Sequence, residues 1–176
     1  MTTRRVHLVR HGLSTQDRDR PPHEWGLDPR GHEDVDALRR SGRLPTRAVW
    51  FSSPETKALE TARRLTEAPV TVVPELREHE RHSTTWIADF PSVVRRAFDD
   101  PDKPAFPGWE PLTRARDRLM SVVPALLTAH AEEEVVLVGH GTAWTLLASE
   151  LTGRPPDLVA WSRLRMPDLW VLELPA

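Results

Sequence analysis

The sequence predicts an α/β fold, a three-layer α/β/α sandwich with a mostly parallel central sheet. Short apolar runs rich in β-branched residues are typical of buried parallel strands, and they occur at residues 6–9, 48–51, 70–73 and 135–138. Segments with helical periodicity separate these runs, as they do in βαβ units. The chain has 176 residues, a length that suits one domain, so we expect residues 1–176 to form a single domain.

Apolar periodicity and end signals place the helices. The amphipathic segment 32–44 predicts a first helix, and a second begins with Ser53 as N-cap and Pro54 at the first helical position. Pro124 should kink or divide the helix in which it lies. The other predicted elements are helices over residues 85–99, 112–126 and 142–151 and a last strand over 169–172.

Composition excludes several classes of function. The chain has no cysteine, which rules out disulfides, zinc–thiolate sites and a cysteine nucleophile. It has 24 basic and 26 acidic residues, so it shows no electrostatic footprint for nucleic acid. No apolar run approaches the ~20 residues that cross a bilayer. We therefore expect a cytoplasmic protein without nucleic-acid or membrane partners, and the sequence leaves its oligomeric state open.

Two predicted strands end in a histidine followed by a glycine. Residues 8–12 read Leu-Val-Arg-His-Gly and residues 137–141 read Leu-Val-Gly-His-Gly. Because ligands bind beyond the carboxyl ends of parallel strands, both histidines lie where a ligand is expected. A neutral imidazole can attack phosphorus when its other nitrogen has a hydrogen-bond acceptor, which suits His11. Arg10 offers a forked donor, and His140 would add positive charge if protonated. The pattern predicts phosphate chemistry.

Helix amino termini and one lysine fit the same chemistry. The helices that begin after Ser53 and Gly141 offer a favourable potential to an anion. Lys57 lies in the first turn of the earlier helix, where a cation is mildly unfavourable unless an anion is near. Only Lys57 and Lys103 are lysines, which makes the placement suggestive. The alternative is an ordinary solvated lysine.

With these residues the chain resembles the histidine phosphatase superfamily, also called phosphoglycerate mutase-like. The resemblance runs in order from about residue 6 to 144. Its four motifs are Arg-His-Gly at 10–12, Ser-Ser-Pro at 52–54 with a cation at 57 and Thr-Ala at 61–62, Leu-x-Glu at 76–78, and His-Gly at 140–141. Residues 107–110 are also similar to the Gly-Glu-Ser loop of that family.

The resemblance implies a metal-independent phosphatase that hydrolyses a phosphate monoester. It makes His11 the nucleophile that becomes phosphohistidine and Glu78 the proton donor, and it implies no metal and no other cofactor. The expected substrate is a phosphorylated small molecule, or a phosphoprotein. The implied catalytic residues are His11, Glu78, Arg10 and His140, and the implied phosphate-binding residues are Arg10, Lys57, His140, Ser14 and Gly141.

The chain departs from the family pattern at four places, the mildest of which is Ser14, which replaces a common threonine and keeps the hydroxyl. Lys57 stands where arginine is usual, which keeps the charge but loses the bidentate geometry. Asp17 stands where many members have asparagine, and a carboxylate there would repel phosphate. After Glu78 the usual Gly-x-Trp-Glu-Gly stretch is replaced by residues 79–82, which read His-Glu-Arg-His. These departures bear on substrate recognition and on catalytic activity.

Residues 78–82 also allow other interpretations. Two histidines flanked by carboxylates can ligate a metal, although their spacing differs from that of the helical zinc hydrolases. The more ordinary alternative is a polar loop at the pocket mouth, where Arg81 meets an anionic substrate. Trp86 and Trp109 are candidates for lining the cleft, whereas the core tryptophans are expected to be Trp50, Trp144 and Trp170.

Two alternative functions stay open. One is phosphotransfer of the phosphoglycerate mutase type, although the chain is short for a mutase and lacks the extended insertion after the catalytic glutamate. The other is a non-catalytic protein of the same fold that binds a phosphate ligand. In that case Lys57 and Asp17 are substitutions that accompany the loss of catalytic activity. That last hypothesis predicts phosphate or sulfate binding without hydrolysis.

Overall fold

A five-stranded sheet forms the centre of the computed structural model, which describes residues 3–175. The strands are β1 (Thr3–Arg10), β2 (Val49–Ser52), β3 (Val70–Val72), β4 (Val135–Gly139) and β5 (Asp168–Pro175). Their order is β3-β2-β4-β1-β5, and only β5, which pairs with β1, runs antiparallel. The predicted, mostly parallel sheet is thus confirmed. The last strand extends beyond the apolar run 169–172 that predicted it.

Residues 3–175 contain six helices. They are α1 (His32–Arg40), α2 (Thr56–Leu65), α3 (Phe90–Asp99), α4 (Leu112–Ala129), α5 (Gly141–Thr152) and α6 (Leu158–Ser162). Short 3-10 turns occupy Pro22–Glu24, Pro29–Gly31 and Pro74–Leu76. Across residues 3–175, no helix combines the length and apolar character needed to cross a bilayer.

Successive side chains of the sheet point to opposite faces and pack into two separate hydrophobic cores. Val6 and Leu8 of β1 pack with α4 and α5 on one face, whereas Val9 packs with α1 and α2 on the other. This division confirms the predicted three layers. Trp144 is completely buried in the first core and Trp50 lies buried in the second, as expected. Trp170 is only partly buried against the first core.

Several helix ends differ from the sequence predictions. Helix α2 begins at Thr56 with Glu55 as its N-cap, so Ser53 and Pro54 lie before it. The Ser53 hydroxyl instead accepts a hydrogen bond from the Glu55 amide at 3.2 Å. Helix α1 ends at Arg40, because the chain turns at Gly42 with a φ of 71°.

Two prolines are accommodated inside predicted helices. Pro91 lies in the first turn of α3, where its missing N–H costs nothing, and the segment before Phe90 is not helical. Helix α4 continues through Pro124 and is not divided. Val123 and Leu127, which flank that proline, are both buried in the same core, so packing outweighs the lost hydrogen bond.

Gly139 ends β4 directly beneath Trp144, and an added methyl group should destabilise the fold. A Cβ at this position would lie 2.5 Å from Trp144 Cζ2, inside a core with no room to adjust. We expect Gly139→Ala to cost about 3 kcal/mol of unfolding free energy, measured by urea denaturation. The control is Gly26→Ala, whose Cβ would meet nothing closer than 3.5 Å. Equal stability of the two variants would contradict this packing.

Candidate active site

A pocket of about 790 Å³ opens at the carboxyl ends of β1 and β4. The parallel register pairs Arg10 with Gly139, so His11 and His140 leave the sheet side by side. Their rings lie 5.3 Å apart between centroids, at an interplanar angle of 63°. The sheet topology therefore brings the two predicted histidines into one site.

His11 is held as a neutral imidazole with one free nitrogen. Its Nδ1 lies 2.6 Å from the Gly12 carbonyl oxygen, and because that oxygen can only accept, Nδ1 carries the hydrogen. Nε2 therefore keeps its lone pair. Burial, followed by the nearby His140 and Lys57, lowers the pKa of His11 well below its ordinary value. The Gly12 amide donates to Thr61 Oγ1 at 3.0 Å, which fixes the loop.

His140 is also neutral in this pocket. Its Nε2 lies 2.7 Å from Ser53 Oγ, and the side chain is completely buried. Burial lowers the pKa of His140 to about 3, and the cations Lys57, Arg81 and Arg10 act in the same direction. In the empty pocket His140 therefore carries no positive charge, and the ring contributes hydrogen bonding and shape.

Glu78 occupies the amino terminus of α5. One carboxylate oxygen accepts from the Ala143 amide at 2.8 Å and from the His79 amide at 2.9 Å, and the other accepts from the Thr142 amide at 3.2 Å. Burial alone would raise the pKa of Glu78, but the charge of Arg81 and the hydrogen bond from the His79 amide hold that pKa below its ordinary value. Two of the amides expected to face a bound anion are thus taken by this carboxylate.

Lys57 lies in the pocket, but its charge is already paired. Its Nζ donates to Glu55 Oε2 at 2.6 Å and to the Pro22 carbonyl at 2.5 Å, and both charged side chains are at most 7% exposed. The other Glu55 oxygen accepts from the Glu78 amide at 2.8 Å. Glu55 is not among the predicted site residues, although its position two residues before the lysine was an available signal.

Arg10 is anchored by main-chain carbonyls. Its Nη1 donates to the Leu164 carbonyl at 3.0 Å and to the Arg165 carbonyl at 3.3 Å. A Cβ on Gly141 would lie 3.3 Å from Arg10 Nε, so the glycine allows the guanidinium to pack against the start of α5. Burial lowers the pKa of Arg10.

Arg81 lies inside the pocket rather than at its mouth. Its guanidinium carbon is 4.6 Å from the centre of the Trp109 ring and 4.7 Å from that of Phe90, and its Nη2 donates to Thr142 Oγ1 at 3.0 Å. Burial lowers its pKa, opposed by Glu78 and Glu55. Trp109 and Trp86 both line the pocket, as expected.

A buried ion pair fixes the backbone around Glu78. Arg118 Nη1 donates to both carboxylate oxygens of Glu110 at 2.9 Å, and its Nη2 donates to the Glu78 carbonyl at 2.9 Å. Glu110 in turn accepts from the Glu80 amide at 2.9 Å, and its carbonyl lies 2.8 Å from His79 Nε2. Both residues of this ion pair position Glu78 without lying in the pocket themselves.

The metal-site alternative for residues 78–82 is not supported. His79 bonds to the Glu110 carbonyl, and burial lowers its pKa to about 4. His82 lies 3.5 Å from Glu80, whose other oxygen pairs with Arg77. Within residues 3–175, no three histidine, aspartate or glutamate side chains converge as a metal site.

The segment after His11 resolves one departure from the family pattern. Ser14 is buried and lines the pocket, as expected. The Asp17 carboxylate instead accepts from the Asp19 amide at 2.9 Å and lies 3.7 Å from Arg20. Among the residues that the structure describes, Gln16 lines the pocket and Asp17 does not. The expected repulsion between this carboxylate and phosphate is therefore reduced.

Comparisons with known proteins agree with the fold. A model of the histidine phosphatase superfamily (branch 1) matches residues 6–174. A mycobacterial glucosyl-3-phosphoglycerate phosphatase superimposes with a TM-score of 0.78 at 21% identity, covering 98% of this chain and 91% of that one. Mycobacterial hydrolase 1 gives 0.76 at 23% identity, covering 98% and 92%. Bacillus stearothermophilus YhfR gives 0.69 at 22%, covering 87% and 82%. A comparison with curated protein sequences gave no match.

Proposed function

This chain belongs to the histidine phosphatase superfamily (branch 1), and we propose that it hydrolyses a phosphate monoester through a phosphohistidine on His11. It is a phosphoric monoester hydrolase of the histidine phosphatase type. The observation that carries the proposed mechanism is the buried, neutral His11, whose Nδ1 is bonded to the Gly12 carbonyl and whose Nε2 is free to attack.

In the first step, His11 Nε2 forms a bond to phosphorus while the bond between phosphorus and the ester oxygen breaks. The leaving oxygen takes a proton from Glu78, which must therefore be protonated when substrate is bound. Glu78 is ionised in the empty pocket because its pKa is lowered. A phosphate dianion beside Glu78 raises that pKa by like-charge repulsion, so substrate binding itself favours the protonated acid.

In the second step, the Glu78 carboxylate takes a proton from water, and the resulting oxygen attacks the phosphorus of phosphohistidine. The bond between phosphorus and Nε2 then breaks, which releases inorganic phosphate and restores neutral His11. Cationic side chains stabilise the oxygens of the transferred group in both steps, and this is the main requirement of phosphoryl transfer. Glu78, held by amides of α5 and by Arg118, keeps one position throughout.

The pocket supports a phosphorylated small molecule as the substrate. Its volume of about 790 Å³ lies in the range of sites that enclose small ligands, and it far exceeds what a single phosphate group needs. The outer part is lined by Trp86 and Arg18, whose guanidinium lies 4.2 Å from the centre of that ring. One structural neighbour is named as a glucosyl-3-phosphoglycerate phosphatase, which supports an organic phosphate in general and not that compound.

The test is hydrolysis of a chromogenic phosphate monoester by the full chain, with and without a metal chelator. We expect release of inorganic phosphate at the same rate in both, and a rapid acid-free quench should trap an acid-labile, alkali-stable phosphoenzyme. Loss of activity with the chelator would contradict the metal-independent mechanism. Transfer of the phosphoryl group to an added alcohol or phosphoglycerate without phosphate release would favour the mutase alternative, and phosphate binding without turnover would favour the non-catalytic one.

A further inference from the structure

The lysine and arginine side chains that line the pocket divide into paired and unpaired cations. Lys57 has Glu55, Arg77 has Glu80 and Arg20 has Asp17 as a carboxylate partner within 4.0 Å. Among residues 3–175, Arg10, Arg18 and Arg81 have no such partner. Two of these three lie at the start of α5, where Arg10 Nε packs against Gly141 and Arg81 donates to Thr142, and Arg18 lies over the exposed ring of Trp86.

Arg81 is built into the pocket as a rigid donor. Its flat guanidinium packs against Phe90 and Trp109, and only Nη2 has a hydrogen-bond partner among the described residues, the hydroxyl of Thr142. Burial is the main cause that lowers the pKa of Arg10, and the charge of Arg81 lowers it further. Both guanidinium groups are partly shielded from solvent, so an anion that binds to both would offset the repulsion between them.

Lys57 is the opposite case. Its ammonium group donates two of its three hydrogens, one to the Glu55 carboxylate and one to the Pro22 carbonyl. Glu55 cancels its charge and uses the second carboxylate oxygen to hold the Glu78 amide. The pair is therefore a neutral structural unit beneath Glu78 and His140, which matches the absence of the usual arginine at this position.

We propose that Arg10 and Arg81 together bind the phosphoryl oxygens, and that the Glu55–Lys57 pair is not a phosphate ligand. This proposal rests on the proposed function, because it names the side chains that hold the transferred group at that same site. Arg81 supplies the planar, forked donor that Lys57 lacks, from a different segment of the chain.

The experiment measures binding of inorganic phosphate to the full chain by calorimetry. We expect Arg81→Met, which keeps the bulk against both rings, to weaken binding by about thirtyfold or more, the loss of a charged hydrogen-bond pair. Arg81→Lys should recover part of that loss. The double variant Glu55→Gln with Lys57→Met keeps the net charge and should bind phosphate within about threefold of the natural chain. Arg114→Met removes an exposed arginine outside the pocket and is the matched control.

Two results would overturn the assignment. One is phosphate binding by Arg81→Met at the natural affinity, and the other is a loss in the double variant as large as that in Arg81→Met. Thermal unfolding of each variant separates a folding defect from lost binding, and Arg81→Lys gives a second measurement if Arg81→Met does not fold. Because binding is measured without turnover, a chain that binds phosphate through Arg81 but hydrolyses nothing would contradict the proposed function alone.

Discussion

Replacing His11 by alanine is expected to lower the rate of phosphate monoester hydrolysis by at least about 10³-fold, as for other nucleophiles of covalent catalysis. The variant loses the imidazole whose Nδ1 is fixed by the Gly12 carbonyl and whose Nε2 is free to attack phosphorus. No cysteine is present to replace it. The fold should persist, because the His11 amide still donates to the Gly139 carbonyl and the Gly12 amide to the Thr61 hydroxyl.

Steady-state hydrolysis and rapid-quench labelling check this expectation. His11→Ala should show neither turnover nor a labelled phosphoenzyme, and it should still bind phosphate. His130→Ala, a histidine outside the pocket that pairs with Glu133, is the matched control and should keep normal activity. Retention of more than about a tenth of the natural rate by His11→Ala would rule out the phosphohistidine mechanism.

The pH dependence of the same assay tests the protonation state of His11. Its pKa in the folded chain lies well below the ordinary 6.5, because burial and nearby cations disfavour the imidazolium. The nucleophile therefore stays neutral as the pH falls through 6.5, and its protonation limits the rate only at a much lower pH. A group with its pKa depressed in the folded state also binds fewer protons there, so it contributes stability above 6.5 that is lost as the pH falls.

The fold followed from the sequence where local patterns were strong. Continuous β-branched runs identified four strands of the parallel part of the sheet, and their endings in His-Gly located the active-site edge. The helix ends were harder to predict. Ser53 is a residue type typical of an N-cap, but its hydroxyl lies against His140 and the helix begins later, at Thr56. Pro124 does not divide α4, because residues of the helix on both sides of it pack in the core. Such outcomes depend on tertiary contacts that a local pattern does not contain.

The sequence located residues that share one pocket, but it did not predict how the charges in that pocket are paired. His11 and Glu78 follow strand-end and motif patterns, and the structure places both in one pocket. The pairing of Lys57 depends on Glu55, and the burial of Arg81 depends on Phe90 and Trp109, which are distant in sequence. Glu55 was a local signal for the pairing of Lys57, whereas the contacts of Arg81 with the two rings depend on the fold and could not be read from motif spacing.

Arg118→Met should be strongly destabilising, because it leaves the Glu110 carboxylate buried without its cation. Both side chains of this pair are at most 9% exposed, and breaking a buried pair from one side costs about 3–5 kcal/mol of unfolding free energy. The Glu78 carbonyl also loses its donor. We therefore expect a melting temperature lower by roughly 10 °C, and hydrolysis reduced by about tenfold at temperatures where the variant is folded.

Two matched variants separate this mechanism from a general effect of losing an arginine. Arg116→Met removes a neighbour on the same helix whose partner, Asp117, is 69% exposed, and a surface pair of this kind contributes less than about 1 kcal/mol. The double variant Arg118→Met with Glu110→Gln removes the unpaired charge and should recover roughly half of the lost stability, since the amide oxygen still accepts from the Glu80 amide. Melting curves of Arg118→Met and Arg116→Met that coincide would mean that Glu78 is positioned by the helix start alone and not by this ion pair.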